Sequence, residues 1–279
     1  MGNLGICFGC IAAGNEKGGN FYWAYSLGGS RNGILCHLDE ILYQRNTSHL
    51  SGKRIGLHVC QKHTDTMIKA IIFDMDGVLV DSEPFHVEIE KQQFLLNQLS
   101  VSDEEHHQYM GVASDVMWRQ IAERHSLNVS VEEITGQNRV ESIRFFTELN
   151  EIPVMPGLVD LLEKLKQKNY PMAVASSSFP EIIEIILQRT GLRKYFQVVV
   201  SSQEAGKSKP EPDVFLLAAR KLKMRPKDCL VIEDSANGIK AAKSAGMRCV
   251  AYQSPGVNPQ NQKQADAVIK SYEQLEMMI

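Results

Sequence analysis

Most of the chain alternates between short apolar runs and longer segments with apolar positions at helical spacing. From Leu158 onward the alternation is regular. A helical pattern over 158–168 gives way to an apolar run at 171–175, and one over 180–189 precedes a run at 196–200. The same order follows with a helix at 212–221 and a strand at 229–232, then a helix at 237–244, closed by Gly246, and a strand at 247–252. A short strand at 267–269 and a helix at 272–277 end the pattern. An earlier apolar run at 68–73, broken by one lysine, reads as a further buried strand. Strands separated by helices predict a doubly wound parallel sheet of Rossmann-like type, an α/β fold.

Between the first strand and the rest lies a polar block with a different rhythm. Pro84 starts a helix, and 85–99 continues as an amphipathic pattern. Further helical segments are expected at 103–110, 114–126, 131–136 and 140–150. The run Ile152-Pro153-Val154-Met155-Pro156-Gly157 marks a boundary and a hinge. The chain therefore divides into 67–83, the first part of a core; 84–153, a small helical domain inserted after the first strand; and 154–279, the second part of the core.

Residues 1–66 break both patterns. They are rich in glycine, asparagine, cysteine and histidine and carry no sustained helical period. They are expected to be an extension, disordered or extraneous to the fold. Leu4 to Ala13 is apolar but lacks the basic start of a secretory signal. Cys7, Cys10, Cys36 and Cys60, with His58 and His63, are zinc-ligating residue types. The second cysteine pair lacks the compact spacing of a zinc site, so no zinc is expected. Cys229 and Cys249 flank apolar runs and read as buried small hydrophobes.

Composition changes this picture little. The 279 residues are 43% apolar and 23% charged, with a formal charge of -3, which gives no reason to expect nucleic acid or an anionic membrane as partner. No apolar stretch approaches the length of a membrane-spanning helix. Nothing requires disulfides, so the expectation is a monomer in a reducing cytoplasm.

The candidate chemistry sits at strand ends. The first strand runs into Asp74-Met75-Asp76-Gly77, two carboxylates one residue apart followed by glycine. A second acidic pair, Glu233-Asp234, ends the strand at 229–232. Ligands of open parallel sheets bind at such ends. Crowded carboxylates there repel unless a cation or proton compensates, which suits Mg2+ beside a carboxylate nucleophile.

Four segments together resemble the signature of the haloacid dehalogenase-like hydrolase superfamily. They are the stretch from Ile71 to Ser82; Met172 to Ala175 running into Ser176-Ser177-Ser178; Lys209-Pro210-Glu211-Pro212-Asp213; and Leu230 to Gly238. The resemblance covers 67 to about the C-terminus. Members commonly open with a methionine just before this strand, as Met67-Ile68-Lys69 does, so a true start at Met67 is one reading of the extension. The resemblance implies an α/β core with a cap inserted early. It implies Asp74 as nucleophile toward a phosphomonoester and Asp76 as general acid–base, with the Asp76 carbonyl on the metal. It further implies phosphate binding by Ser176, helped by Ser177 or Ser178, charge neutralisation by Lys209 rather than Lys207, and metal ligation by Asp234 and Glu233. Gly77 permits the sharp turn beside them, and Ser82 is expected to cap the helix that follows.

Within the superfamily the closest resemblance is to sugar-phosphate phosphatases and beta-phosphoglucomutases. Asp81-Ser82-Glu83-Pro84-Phe85-His86 resembles that group's segment after the nucleophile, and His86 matches a histidine that couples cap closure to the acid–base aspartate. The mutase holds a second phosphate with a cap arginine and a cap lysine. Ser114 and Gln137 stand at those places here, followed by Asn138, a candidate substrate contact, and Arg139. Losing two cations weakens a bisphosphate site. The implied activity is hydrolysis of a small phosphorylated metabolite, with the mutase as alternative, since Arg119, Arg124 or Arg139 offer replacement charge.

Overall fold

The computed structural model describes residues 67–109, 112–125, 127, 130–254 and 261–279, and three short strands nearer the N-terminus. Those strands, β1 (Ile11–Gly14), β2 (Phe21–Tyr25) and β3 (Ile34–Cys36), form an antiparallel sheet in the order β1-β2-β3. They belong to a unit, Met1–Lys62, separate from His63–Ile279. The rest of the expected extension, and the side chains of its cysteines, lie outside the described residues.

The larger unit begins with β4 (Ala70–Phe73), two residues later than the apolar run suggests. Four helices follow: α1 (Glu83–Leu96), α2 (Asp103–His107), α3 (Ser114–Arg124) and α4 (Val131–Glu148). The alternating half then runs α5 (Leu158–Gln167), β5 (Met172–Ser176), α6 (Pro180–Arg189), β6 (Val198–Ser201), α7 (Ser202–Ala205), α8 (Asp213–Lys221), β7 (Cys229–Glu233), α9 (Ala236–Ser244), β8 (Arg248–Tyr252), β9 (Ala267–Ile269) and α10 (Tyr272–Glu276).

Six strands pair in the order β6-β5-β4-β7-β8-β9, all parallel. The chain moves outward from β4 to β6 on one side, then returns to place β7, β8 and β9 on the other. The order therefore reverses at β4, which makes the carboxyl end of that strand a binding crevice. Side-chain alternation along the strands sorts the core into two layers. Ile71 and Phe73 pack with Leu158, Leu162, Ile183 and Leu275, from α5, α6 and α10. Ala70 and Ile72 face the opposite way, toward Val214, Phe215, Ile239 and Ala242 of α8 and α9.

The insertion has an apolar cluster of its own, with Phe94, Met117, Trp118, Ile121 and Ile134. Sequence periodicity divided its last segment at Gly136. The structure keeps one helix, α4, through that glycine. A glycine inside a helix costs about 1 kcal/mol relative to alanine, and packing of the stripe Ile134, Asn138, Ser142 and Phe146 offsets it. Two polar residues in that stripe hid its spacing of four. The proline-rich boundary is also more ordered than a plain hinge. Val80 bridges Val154, Asp81 N–H donates to the Pro153 carbonyl at 2.9 Å, and Met155 N–H to the Leu79 carbonyl at 3.0 Å. The two crossings into the insertion are thus tied to each other.

Candidate active site

β4 and β7 are neighbours in register, Phe73 beside Ile232, so their next residues meet above the sheet. Asp74 N–H donates to the Ile232 carbonyl at 2.9 Å, fixing the first acidic residue against the second strand. Asp74, Glu233 and Asp234 place carboxylate oxygens within 4.8 Å of one another. Lys209, beyond α7, reaches between them. Its Nζ donates to Asp74 Oδ1 at 2.6 Å and Glu233 Oε1 at 2.8 Å, and lies 4.9 Å from the Phe215 ring centroid. All three of these side chains are buried: Asp74 is 6% exposed, Lys209 4% and Glu233 0%.

Glu233 is held from both sides. Its Oε2 accepts the Ser235 N–H at 2.6 Å, at the start of α9, where orphan amides and the helix dipole favour negative charge. Two glycines make room for these acids. A Cβ on Gly238 would sit 1.5 Å from Glu233 Oε1, and one on Gly77 would sit 2.3 Å from Asp234 Oδ2, with Gly77 at φ +75°. The Tyr272 hydroxyl braces the same turn by donating to the Val78 carbonyl.

Asp76 points elsewhere. Its Oδ1 accepts the Ser82 hydroxyl at 2.5 Å and lies 3.1 Å from His86 Nε2; its Oδ2 accepts the Ser178 hydroxyl at 2.8 Å, with Ser176 Oγ at 3.4 Å. The Asp76 carboxylate is therefore outside the convergent acidic group, and any metal contact of this residue would be through its backbone. One expected cap is corrected by the same contacts. Ser82 is the N-cap of α1 but makes no side-chain cap bond, because its hydroxyl serves Asp76. Ser178 likewise serves Asp76, and Phe179 is the N-cap of α6.

Electrostatics separates the two aspartates. Burial, with Glu233 and Asp76 nearby, pushes the Asp74 carboxyl up to about 7 against the pull of Lys209. Asp234 is raised well above the usual carboxylate range by burial and by Glu233 and Asp74. Burial alone would lift Asp76 as well, but His86 and the Ser82 and Ser178 hydroxyls bring it down to about 2. Burial opposes the charge on His86, yet Asp76 and then Glu83 raise it to about 9. Lys209 stays charged because Asp74 and Glu233 outweigh its desolvation. Three convergent carboxylates against one ammonium form an excess of negative charge that a hard divalent cation fits, with oxygen donors of the type magnesium takes.

A cavity of about 440 Å³ joins this centre to the insertion. Asp74, Asp76, Ser177, Ser178, Lys209, Glu233 and Asp234 form its floor. Glu83, His86, Tyr109, Ser114, Asn138 and Ser142 are in its upper wall. Ser176 is fully buried beneath the floor, and its Oγ accepts the Ser178 N–H at 3.0 Å. The Ser177 hydroxyl is shut away from solvent without a partner. Asn138 Nδ2 donates to Ser114 Oγ at 2.9 Å, while its Oδ1 is unpaired. Lys207 and Gln137 are exposed. Sequence reasoning did not assign the Ser82, Ser178 and Asp76 constellation. The triple serine was its one visible signal.

A family model for haloacid dehalogenase-like hydrolases matches residues 68–246. The chain belongs to that family. Among haloacid dehalogenase-like relatives, it is 33% identical over 180 residues to the phosphorylated carbohydrates phosphatase of Thermotoga maritima, covering 64% of this chain and 82% of that one. It is 32% identical over 180 residues to the fructose-1-phosphate phosphatase of Escherichia coli, covering 64% and 94%. A solved beta-phosphoglucomutase from Clostridium difficile superposes with a TM-score of 0.68 at 26% identity, covering 76% of this chain and 96% of that one. Among the described residues no helix is long and apolar enough to cross a membrane.

Proposed function

We propose that this haloacid dehalogenase-like hydrolase is a magnesium-dependent phosphatase of small phosphorylated sugars or polyols, working through an aspartyl-phosphate. The observation that carries this reading is the contrast between its two aspartates. Asp74 is buried against Lys209, while Asp76 faces the same cavity from a nest of hydroxyls and a cationic histidine. Asp74 Oδ attacks phosphorus, an O–P bond forms, and the ester P–O bond breaks. The leaving alkoxide takes its proton by way of Asp76: at neutral pH that proton is held on His86, whose Nε2 lies 3.1 Å from Asp76 Oδ1, and the carboxylate passes it on. Asp76 then accepts a proton from the water that cleaves the aspartyl-phosphate. Lys209 keeps the nucleophile oriented and offsets phosphoryl charge. Asp74 and Asp234, with the Asp76 carbonyl, would hold magnesium, and Glu233 would support it from beside Lys209. Bound there, the ion would offset the charge of the transferring phosphoryl group.

The helical insertion acts as the cap. Its wall supports the phosphatase over the mutase. At the two places where the mutase has cations, Ser114 is taken up by Asn138 and Gln137 is exposed. The three arginines that offered replacement charge each have a carboxylate partner: Arg119 lies 3.9 Å from Asp115, Arg124 pairs with Glu105 and Arg139 with Glu181. The relatives named as phosphatases of phosphorylated carbohydrates and of fructose 1-phosphate support the same reading. The deciding experiment follows free phosphate and glucose 6-phosphate together, from beta-glucose 1-phosphate with magnesium and a trace of glucose 1,6-bisphosphate, beside a panel of hexose, pentose and hexitol phosphates. Phosphate release from the panel, with little isomerisation, is the expected result. Glucose 6-phosphate formed much faster than phosphate makes the protein a mutase.

A further inference from the structure

α4 of the insertion runs alongside α6 of the core, and two arginines join them. At one end, Arg189 in the last turn of α6 donates to three carbonyls at the C-terminus of α4: Phe146 at 2.7 Å, Thr147 at 2.9 Å and Leu149 at 2.5 Å. Those orphan carbonyls are the negative end of the helix, so a multidentate guanidinium there is a strong anchor. At the other end, Arg139 of α4 pairs with Glu181 in the first turn of α6 and lies 5.5 Å over the Phe179 ring. Arg139 is seven residues before Phe146, so at 1.5 Å per residue the contacts stand about 10 Å apart along α4.

The two contacts differ in character. The Arg189 anchor holds the end of α4 that leads, five residues after Leu149, into the tied crossing at Val154, where the insertion joins the core. The Arg139 contact is a single half-exposed ion pair with a ring contact, which is weak and reversible. It also sits beside the cavity. Asn138 and Ser142, its neighbours on α4, line the upper wall; Phe179, under its guanidinium, lines the cavity near the floor.

We propose that Arg139 is a positioning residue that latches the insertion shut over the cavity, gripping Glu181 and Phe179 while the Arg189 end serves as pivot. This rests on the phosphatase reading, deepens it by assigning the commitment step, and takes Arg139 out of the role of second-phosphate clamp. Breaking the latch raises the open population and lowers capture of every substrate alike.

The test uses Arg139→Met, Glu181→Gln and the exchange Arg139→Glu with Glu181→Arg in the full chain with magnesium. Steady-state kinetics use p-nitrophenyl phosphate, a monophosphate hydrolysed by the wild type, and fructose 1,6-bisphosphate. Hydrogen exchange over 134–146 without ligand reads opening independently of turnover. A latch predicts that both single variants raise KM about threefold to tenfold on every substrate and speed exchange over that segment. The exchanged pair should recover most of both effects. A phosphate clamp predicts opposite signs: Arg139→Met would weaken the bisphosphate alone, and Glu181→Gln, by freeing Arg139, would strengthen it. That result, or unchanged exchange in both single variants, overturns the proposal. Absence of phosphate release by the wild type defeats the phosphatase reading and leaves the exchange data to judge the latch.

Discussion

Replacing Lys209 by methionine keeps most of the apolar stem and removes the ammonium, with its charge and its two hydrogen bonds. The ammonium is the shared partner of Asp74 at 2.6 Å and Glu233 at 2.8 Å. Without it, two buried carboxylates face each other and Asp234 with no cation between. Removing one member of a buried pair costs about 3–5 kcal/mol, because the remaining charge is left unpaired. For a domain of this size that corresponds to a fall in Tm of roughly 6–20 °C. In the wild type, Lys209 has a raised pKa, so its contribution is complete below the ordinary lysine value of 10.5 and is lost as pH rises through the folded value. Asp74 is raised to about 7 even with the lysine present. Without Lys209 it rises further, so the folded variant binds protons the unfolded chain does not. Its stability therefore falls as pH climbs from the ordinary carboxylate range toward 8. The assay is thermal and urea unfolding of both proteins in excess chelator, at pH 5 and pH 8, so that no divalent ion substitutes for the lysine. The deficit should be several kcal/mol at pH 8 and smaller at pH 5. A deficit below about 1 kcal/mol at pH 8, or one that grows as pH falls, would refute the account of Lys209 as the charge that holds this centre together.

Other perturbations probe other parts of the site. Asp74→Asn keeps the shape but offers a poor nucleophile, and phosphate release should fall by about 10⁴-fold or more; near-normal turnover from a clean preparation ends the proposed mechanism. Gly77→Ala places a methyl 2.3 Å from Asp234 Oδ2 at φ +75°, so a urea midpoint should show a loss of about 1–3 kcal/mol, and an unchanged midpoint would show that the turn relaxes freely. His86 is raised to about 9 and Asp76 lowered to about 2 by their pairing, so its stabilisation is complete between about pH 4 and 6.5. His86→Gln should cost most in that window and progressively less as pH rises through 9; a cost that grows with pH contradicts the pairing. Chelation should abolish phosphate release and lower Tm, magnesium should restore both, and calcium should restore activity poorly; full activity after exhaustive chelation removes the metal from the mechanism.

The core was legible because its chemistry is local in sequence. A buried parallel strand is apolar on both faces, and β4 and β7 each end where that run meets carboxylates. The order of the elements then leaves few topologies, and the switch at β4 follows. What stayed hidden is what depends on three-dimensional choice among equivalent polar groups. A serine just ahead of a helix, such as Ser82, looks like a cap. Ser82 and Ser178 instead spend their hydroxyls on Asp76, six and 102 residues away in the chain. The continuity of α4 was hidden for a similar reason. Its buried stripe carries Asn138 and Ser142, which make it read as polar until the cavity they line is known.

Under the proposed function, the choice between phosphatase and mutase falls to the insertion and not to the core. With the one divalent ion of that proposal, the charge of the core would balance: three carboxylates against one lysine and the ion. Nothing in that centre distinguishes water from a second hydroxyl as acceptor. The distinction requires that an intermediate bearing two phosphates be retained, which takes a second cationic site at the far wall. In the upper wall Lys91 is tied to Asp103 at 2.7 Å and His106 to Glu90 at 2.5 Å, Asp115 lies 3.9 Å from Arg119, and Glu83 is a further carboxylate outside these pairs. A surface of hydroxyls, an amide and carboxylates accepts hydrogen bonds from a neutral polyol and repels a second phosphate. Installing arginine in place of Ser114 is therefore the change that should move the activity toward a mutase, read as a gain in glucose 6-phosphate over free phosphate. If Ser114→Arg leaves that ratio unmoved while the protein stays folded, the wall's charge is not what selects the acceptor.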